Sequence, residues 1–458
     1  MNKESGFGVD RRGFLKTSVA GGAGLMLSKN LPLFGVGGES KMDNINIAQV
    51  GVGAQGQVLM QSLMKIPGLN VVAVCDIWEK FNLKRGIGLW RKNGQKPAPY
   101  TDFREMLDKQ PDIDAVFIAT PDFWHAPITN ACLEAGIDVY CEKMMSNTHE
   151  GAVSMVRTAE KTGKLLQIGH QRRSNPRYQF VKKNLIDNNQ LCGRITNING
   201  QWNRAVTEPL GWPERYAISD DILKEFGFEG MLQFRNWRWF KGLGGGPISD
   251  LGAHQIDIFG WFLGANPKAV TASGGADYYD SLEWHDNVMA IYEFDTKQGP
   301  VRAFYQVLTT TSAGGGYFEY FMGDQGSIKM SENPKYTTVF REARAPEWNK
   351  YVDQGFLKKE GEAHVRPWQV PLPPQRKDSS GTVDVRETAA LDAYEVNATL
   401  EGYIHQPHIE NFLNTVRGND TLNCPGHEAL QCEAAVLKVN EAIEAGRRLE
   451  FTEADFHA

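Results

Sequence analysis

Three groups of residues in this sequence have types and spacings that can do chemistry. Asp250 and His254 lie four residues apart in Gly244-Gly-Gly-Pro-Ile-Ser-Asp250-Leu-Gly-Ala-His254-Gln-Ile-Asp257, a spacing that puts both on one face of a helix. A neutral imidazole near pH 7 can take a proton, and a carboxylate one turn away can orient it or bind a hydroxyl. Glu142-Lys143 follow the apolar run 137–141, so a cation stands where a strand ends. From position alone, a surface ion pair is as good a reading of that pair as a functional one. Gly51-Val-Gly53-Ala54-Gln55-Gly56 is followed twenty residues later by Asp76, the spacing of a dinucleotide-binding turn and its ribose-binding carboxylate.

The elements that must position these groups are legible around them. Residues 45–50 read as a short buried strand, 57–65 as a helix, and 71–75 as a second strand ending at Asp76. Gly51 permits the tight turn, Gly53 lets the backbone approach a pyrophosphate, and Gly56 lets helix and strand pack closely. The helix N-terminus then offers free N–H groups to phosphates. A carboxylate at 76 accepts the adenosine ribose hydroxyls and repels a 2′-phosphate, so NAD is expected rather than NADP. Strands at 113–119, 137–141 and 165–169 alternate with helices at 124–135 and 148–161. That alternation predicts an α/β fold with a doubly wound parallel sheet, with ligands beyond the carboxyl ends of its strands. Two such ends read Ala119-Thr120-Pro121-Asp-Phe-Trp-His125 and Tyr140-Cys-Glu142-Lys143-Met144.

Beyond residue 172 the pattern changes. Strands at 194–202, 269–274, 288–294 and 301–308, and a hairpin of 317–322 with 327–330, have few long helices between them. This predicts a second, α+β domain on a largely antiparallel sheet. Ahead of most of these strands, Pro247 suits the first turn of a helix that is apolar at Ile248, Leu251, Ile256, Phe259 and Leu263. Asp250, His254, Asp257 and Trp261 form one stripe on it. Polar groups are costly to bury without partners, so the stripe is expected to face a cleft and to be catalytic at Asp250 and His254. A metal site would need a third ligand that the spacing does not supply, and none is expected.

Composition excludes other classes. The chain has 458 residues, 49 Lys+Arg against 55 Asp+Glu and a net charge of −6, enough for two or three domains and without the basic footprint of a nucleic-acid binder. No apolar run is long enough to span a membrane. Six cysteines without a CxxC spacing make neither a disulfide framework nor a zinc site. The 47 glycines cluster near the N-terminus and in mid-chain. Arg11-Arg12-Gly-Phe14-Leu15-Lys16, followed by a weakly apolar stretch at 17–28, resembles a twin-arginine signal. Residues 1–40 are therefore read as an export signal, with a periplasmic or otherwise exported protein as the expectation. That route, where it operates, carries folded proteins, often with cofactor in place. It fits unpaired Cys75, Cys132 and Cys141 in buried elements.

Taken in order, GVGAQG, Asp76, ATPDFWH, EKM and GGGPISDLGAHQID resemble the Gfo/Idh/MocA oxidoreductases from Asn44 onwards. The resemblance implies a Rossmann domain (44–172), a substrate and oligomerisation domain with an open sheet (173–403), and C-terminal helices (404–458) packing back on the first domain. It also implies a homodimer or homotetramer built through that sheet. Lys143 matches the family's Glu-Lys-Pro lysine beside the nicotinamide, with Met144 in place of the proline. Asp250 and His254 match the pair that binds the sugar and accepts its hydroxyl proton. Gly51, Gly53, Ala54, Gln55, Gly56, Asp76, Glu142 and Lys143 hold the cofactor, and Thr120, Pro121 and His125 line it. The implied reaction is reversible hydride transfer between a sugar C–H and the nicotinamide. His254 is the base, Lys143 stabilises the alkoxide, and Asp250 orients His254 or a hydroxyl.

Substrate recognition is expected to be carbohydrate-like. Trp202, Trp212, Trp237, Trp239 and Trp284 supply flat faces, and Arg172, Arg173 and Arg238 supply donors. Arg173, Trp202, Trp237, Asp250 and His254 are the expected substrate contacts. Residues 342–400 read as a long excursion rather than as sheet. Export leaves no free NAD pool, so a tightly bound NAD regenerated within one cycle is expected. Sugar–sugar redox, keto-glycoside formation and glycoside cleavage by transient oxidation all satisfy this. The family's NAD-dependent glycosidases lack the Glu-Lys pair kept here, which ranks cleavage below dehydrogenase chemistry. A non-catalytic sugar or NAD sensor on the same fold has no need of a proton acceptor.

Overall fold

A computed structural model describes residues 44–314, 316–359 and 391–458; the export-signal reading falls on residues outside these. The first half builds a six-stranded sheet in the order β3-β2-β1-β4-β5-β6, every pair parallel. Its strands are β1 (Ile45–Val50), β2 (Leu69–Cys75), β3 (Ala98–Tyr100), β4 (Ala115–Ile118), β5 (Asp138–Cys141) and β6 (Leu166–Ile168). Helices α1 (Ala54–Leu63), α2 (Asp122–Glu134) and α3 (His149–Thr162) cross between strands. β4 is an unbroken buried run, Ala-Val-Phe-Ile, because helices cover both faces of such a sheet. α3 is capped at each end: Thr148 accepts the Gly151 N–H, and Gly163 closes the helix in the left-handed conformation. The strand order reverses between β1 and β4, and a crevice opens there at the strands' carboxyl ends.

The second sheet has ten strands in the order β14-β15-β13-β12-β11-β7-β10-β9-β8-β16. Its main strands are β7 (Ile195–Asn203), β8 (Pro267–Gly275), β9 (Asn287–Thr296), β10 (Gly299–Leu308), β11 (Tyr317–Gly323) and β12 (Gly326–Met330). Among the described residues only β7 and β10 pair in parallel in this sheet; the other neighbours are antiparallel. Alternation along β9 explains its two faces: Val288, Ala290, Tyr292 and Phe294 are buried, whereas Met289 and Ile291 are exposed. The 342–400 reading needs correction. β13 (Thr338–Arg341) carries β15 (Asp392–Val396), which carries β14 (Leu357–Lys359), so the excursion extends the sheet edge. Three to five residues per strand is too short for a period to declare itself.

Helix α4 (Ala253–Leu263) lies on the inner face of this sheet, preceded by a π-helical turn at Ile248–Gly252. Of the last two helices, α5 (Gln406–Val416) buries Ile409, Phe412 and Leu413 in the first domain's core. α6 (Gly426–Ala445) buries Ala429 and Leu430 against the first core and Val436 and Val439 against the second. β16 (Leu449–Glu450) then joins the second sheet beside β8.

Candidate active site

The glycine turn after β1 has the shape a dinucleotide needs. Gly51 adopts φ +86°, and a Cβ there would lie 2.4 Å from the Ala119 carbonyl oxygen. A Cβ on Gly56 would come within 2.1 Å of the Gly51 oxygen, whereas one on Gly53 would meet only Asn82, at 3.7 Å. Thus Gly51 and Gly56 serve turn and packing, and Gly53 leaves open space for a ligand. Ala54 and Gln55 begin α1. Asp76, at the end of β2, accepts the Val52 N–H at 2.9 Å and the Trp78 N–H at 2.8 Å; burial raises its pKa. Thr120 Oγ1 is buried without a partner among the described residues. These groups fit an NAD ribose and pyrophosphate.

Gly51, Gly53, Ala54, Gln55, Asp76 and Thr120 line one cavity of about 830 Å³, whereas Gly56 lies outside its lining. It runs from Asp76 past Thr120 and Pro121 to Glu142, Lys143, Asp250 and His254, with Trp202 and Trp237 on its far walls. Lys143 Nζ donates to the Asp250 main-chain oxygen at 2.5 Å and lies 3.6 Å from its carboxylate. The Lys143–Met144 peptide is cis. Arg238 Nε donates to Asp250 Oδ1 at 2.8 Å, with Arg204 3.9 Å away. Burial alone would raise the Asp250 pKa, but Arg238, Lys143 and Arg204 outweigh it and hold the carboxyl well below its usual range. Burial, with the charges of Lys143 and Arg172, drives the His254 pKa well below 6.5, leaving a neutral imidazole. Its Nδ1 has no partner among the described residues, and no hydrogen bond joins it to Asp250 there. The carboxylate in the π-helical turn is drawn to the three cations instead.

His125 is among the residues lining this cavity, with only 1% of its surface exposed. Its Nδ1 lies 2.6 Å from the Met144 oxygen and its Nε2 2.9 Å from the Thr120 oxygen. Burial pushes its pKa down to about 4, so the neutral ring donates to one carbonyl at a time and clips the ends of β4 and β5 together. It is a positioning residue for the Thr120 and Lys143 segments.

Two expectations about the second domain are corrected. Arg173 does not reach the cavity: Nε and Nη2 grip Asp257 at 2.7–3.1 Å and Nη1 reaches Glu428 at 2.5 Å. Asp257 therefore leaves the catalytic stripe for a buried ion pair, because an internal carboxylate needs a cation. His170 and Cys432, rather than His254, bring ligand-type atoms near it. Arg172 is likewise spent internally, on Glu319 and Glu332. Of the tryptophans, Trp202, Trp237 and Trp239 line the cavity, whereas Trp284 packs on Gly246. Trp202 stacks on Tyr317 at 4.4 Å and stands 5.7 Å from the His254 ring.

Sequence reasoning missed Gln171, Arg204, Tyr317, Glu332 and His405, all on the cavity wall. They come from strand ends and loops with no local motif. His405 precedes α5 and its ring Nε2 is 3.2 Å from the Gln55 amide nitrogen, which also donates to Glu142 at 3.2 Å. Facing that carboxylate, the Gln55 amide must present N–H, so His405 Nε2 is the acceptor and the proton rests on Nδ1. That Nδ1 is buried and has no partner among the described residues, beside the turn that fits the cofactor.

Residues 45–170 match the family described as "Oxidoreductase family, NAD-binding Rossmann fold", and residues 183–329 match the "GFO/IDH/MocA C-terminal domain". A "Glycosyl hydrolase family 109 protein" of Shewanella baltica is 32% identical over 177 residues, covering 34% of this chain and 38% of that one. The "Uncharacterized oxidoreductase YrbE" of Bacillus subtilis is 29% identical over 227 residues, covering 50% and 56%. The matches thus span 38% and 56% of the length of these curated relatives. Among solved structures, the WlbA dehydrogenase of Bordetella pertussis, in complex with NADH and UDP-GlcNAcA, superposes with a TM-score of 0.61 at 18% identity, covering 89% of this chain and 99% of that one. With both of its domains matched, the chain belongs to the Gfo/Idh/MocA family of NAD-binding oxidoreductases.

Proposed function

We propose that this protein oxidises a hydroxyl carbon of a sugar or glycoside, keeps its NAD bound, and regenerates it within one catalytic cycle by passing the hydride to the carbonyl carbon of a second sugar. The observation that carries this reading is the meeting of Lys143, Asp250 and neutral His254 at one end of the dinucleotide groove. His254 takes the hydroxyl proton as general base. Lys143 donates to the same oxygen and stabilises the charge that develops there. Asp250 holds Lys143 and Arg238 in place. Bound NAD supplies the acceptor for the hydride that leaves the carbon, so the two electrons and the proton are accounted for separately. The crevice at the strand ends and the unpartnered Thr120 hydroxyl and His405 Nδ1 support retention of the cofactor.

The twin arginines at 11–12 support an exported protein. Exposed Met289 and Ile291 on the open sheet face support a homodimer or homotetramer formed through it. Among the described residues no helix is long and apolar enough to cross a membrane. A second reading, net glycoside cleavage by transient oxidation and elimination, is favoured by the glycosyl hydrolase named among the relatives. A sugar panel added to the protein as purified tests both. Cycling of the bound nicotinamide absorbance with a ketone product supports the oxidoreductase, and cleavage without net cofactor change supports the hydrolase. A protein that purifies without cofactor and responds to no sugar overturns both.

A further inference from the structure

We propose that Glu332 and Gln171 form a hydrogen-bond-accepting corner of the cavity that selects neutral, hydroxyl-bearing sugar rings and rejects sugar acids. Glu332 follows β12, with its side chain 5% exposed. One carboxylate oxygen accepts the Gln171 amide N–H at 3.1 Å, and the other accepts Arg172 Nη2 at 3.0 Å. The first bond fixes the Gln171 amide, leaving its Oε1 as the remaining end, and that oxygen is buried with no partner among the described residues. A buried acceptor without a donor is costly, so the corner calls for donors from a ligand.

At the corner itself the described groups on the cavity wall, Glu332 and Gln171, present acceptors, and the cation over the Trp202 ring, Arg204 at 5.2 Å, is 3.9 Å from the Asp250 carboxylate. The Arg172 guanidinium is 1% exposed and held by Glu319 and Glu332. The cations at the other end, Lys143, Arg204 and Arg238, are gathered on Asp250. The stacked Trp202–Tyr317 pair borders the corner: Arg172 lies 5.8 and 5.6 Å from the two ring centroids. Trp202 in turn stands beside His254. A pyranose with its reacting hydroxyl at His254 would turn neighbouring hydroxyls towards Glu332 and Gln171 and an apolar face towards the rings. A sugar carboxylate in the same place would meet a like charge, which suppresses binding.

This selectivity rests on the sugar-oxidoreductase reading, and binding tests it separately from turnover. The full-length holoprotein is titrated calorimetrically with a panel of methyl hexopyranosides and with the matching methyl hexopyranosiduronates. The expected result is binding of at least one neutral glycoside about tenfold or more tighter than its uronate. Glu332→Gln lowers that ratio about tenfold. Gln171→Met, which leaves every charge in place, weakens the neutral glycosides a fewfold without helping the uronates. An unchanged ratio in Glu332→Gln, tighter uronate binding by the parent, or no binding of either set overturns the proposal; should Glu332→Gln fail to fold, neutral binding unchanged in Gln171→Met does the same. Selective, Glu332-dependent binding with a bound nicotinamide that never changes absorbance overturns the oxidoreductase reading instead.

Discussion

Lys143 Nζ stands 2.5 Å from the main-chain oxygen of Asp250 and 3.6 Å from its carboxylate, linking the end of β5 to the turn that leads into α4. One residue comes from the dinucleotide domain and the other from the sheet domain. The cation is therefore placed only when both halves are folded against each other. The contact also spares the Lys143 ammonium the cost of an unpaired charge with a side chain only 10% exposed.

Replacing that lysine separates binding from chemistry. Lys143→Met is expected to purify with NAD and to lose at least about 100-fold in turnover, the scale of losing one charge-stabilising donor. Cofactor content by absorbance and single-turnover rates check this. Full activity in the variant would remove Lys143 from the mechanism.

The pH profile should carry two separable ionisations. His254 is neutral in the folded protein because burial and the charges of Lys143 and Arg172 depress its pKa; its base form persists as pH falls below 6.5, and the acid limb it produces lies lower. Asp122, on the same wall, is lifted by burial to about 7 against the pull of Lys143 and Arg238, so it ionises as pH rises through neutrality. Asp122→Asn is expected to remove a limb near pH 7 and leave the lower one. A single limb at 6.5 that survives in Asp122→Asn contradicts the assignment.

His405 reports on cofactor retention. Losing its Nδ1–H donor at the dinucleotide turn should speed NAD release about tenfold, the cost of leaving a buried acceptor unpaired. NAD remaining in His405→Ala after repeated gel filtration, compared with the parent, gives the answer. Equal retention would confine His405 to its bond with Gln55.

Arg173 should behave as a structural residue. Arg173→Ala strands Asp257 and is expected to cost about 3–5 kcal/mol of stability, read as a lower denaturation midpoint. A raised KM for sugar with stability unchanged would return Arg173 to the substrate side.

Much of this site can be read from the sequence because its parts are local. The glycine turn, Asp76 and the Glu142-Lys143 strand end each occupy a few consecutive residues with one backbone geometry. The stripe on α4 misleads at Asp257 for a physical reason: periodicity assigns a face but cannot say whether that face meets a cavity or an arginine. The π-helical turn at Ile248–Gly252 adds to this, since it breaks the 3.6-residue period between Asp250 and the residues that follow. Gln171, Glu332 and His405 were illegible because distant strand ends and loops bring them together. The short edge strands β13 to β15 carry too few residues to show alternation.

Hydride exchange between a bound nicotinamide and a sugar at Lys143 and His254 is the proposal on which the other readings depend. The most direct measurement is the absorbance of the purified protein in the reduced-nicotinamide band before and after mixing with neutral glycosides, with product analysis on the same samples. The expected result is a protein that purifies with NAD, an absorbance rise on mixing with at least one glycoside, and a keto-sugar in equal amount. No rise with any glycoside, from a protein that carries NAD and binds the sugar, would contradict it.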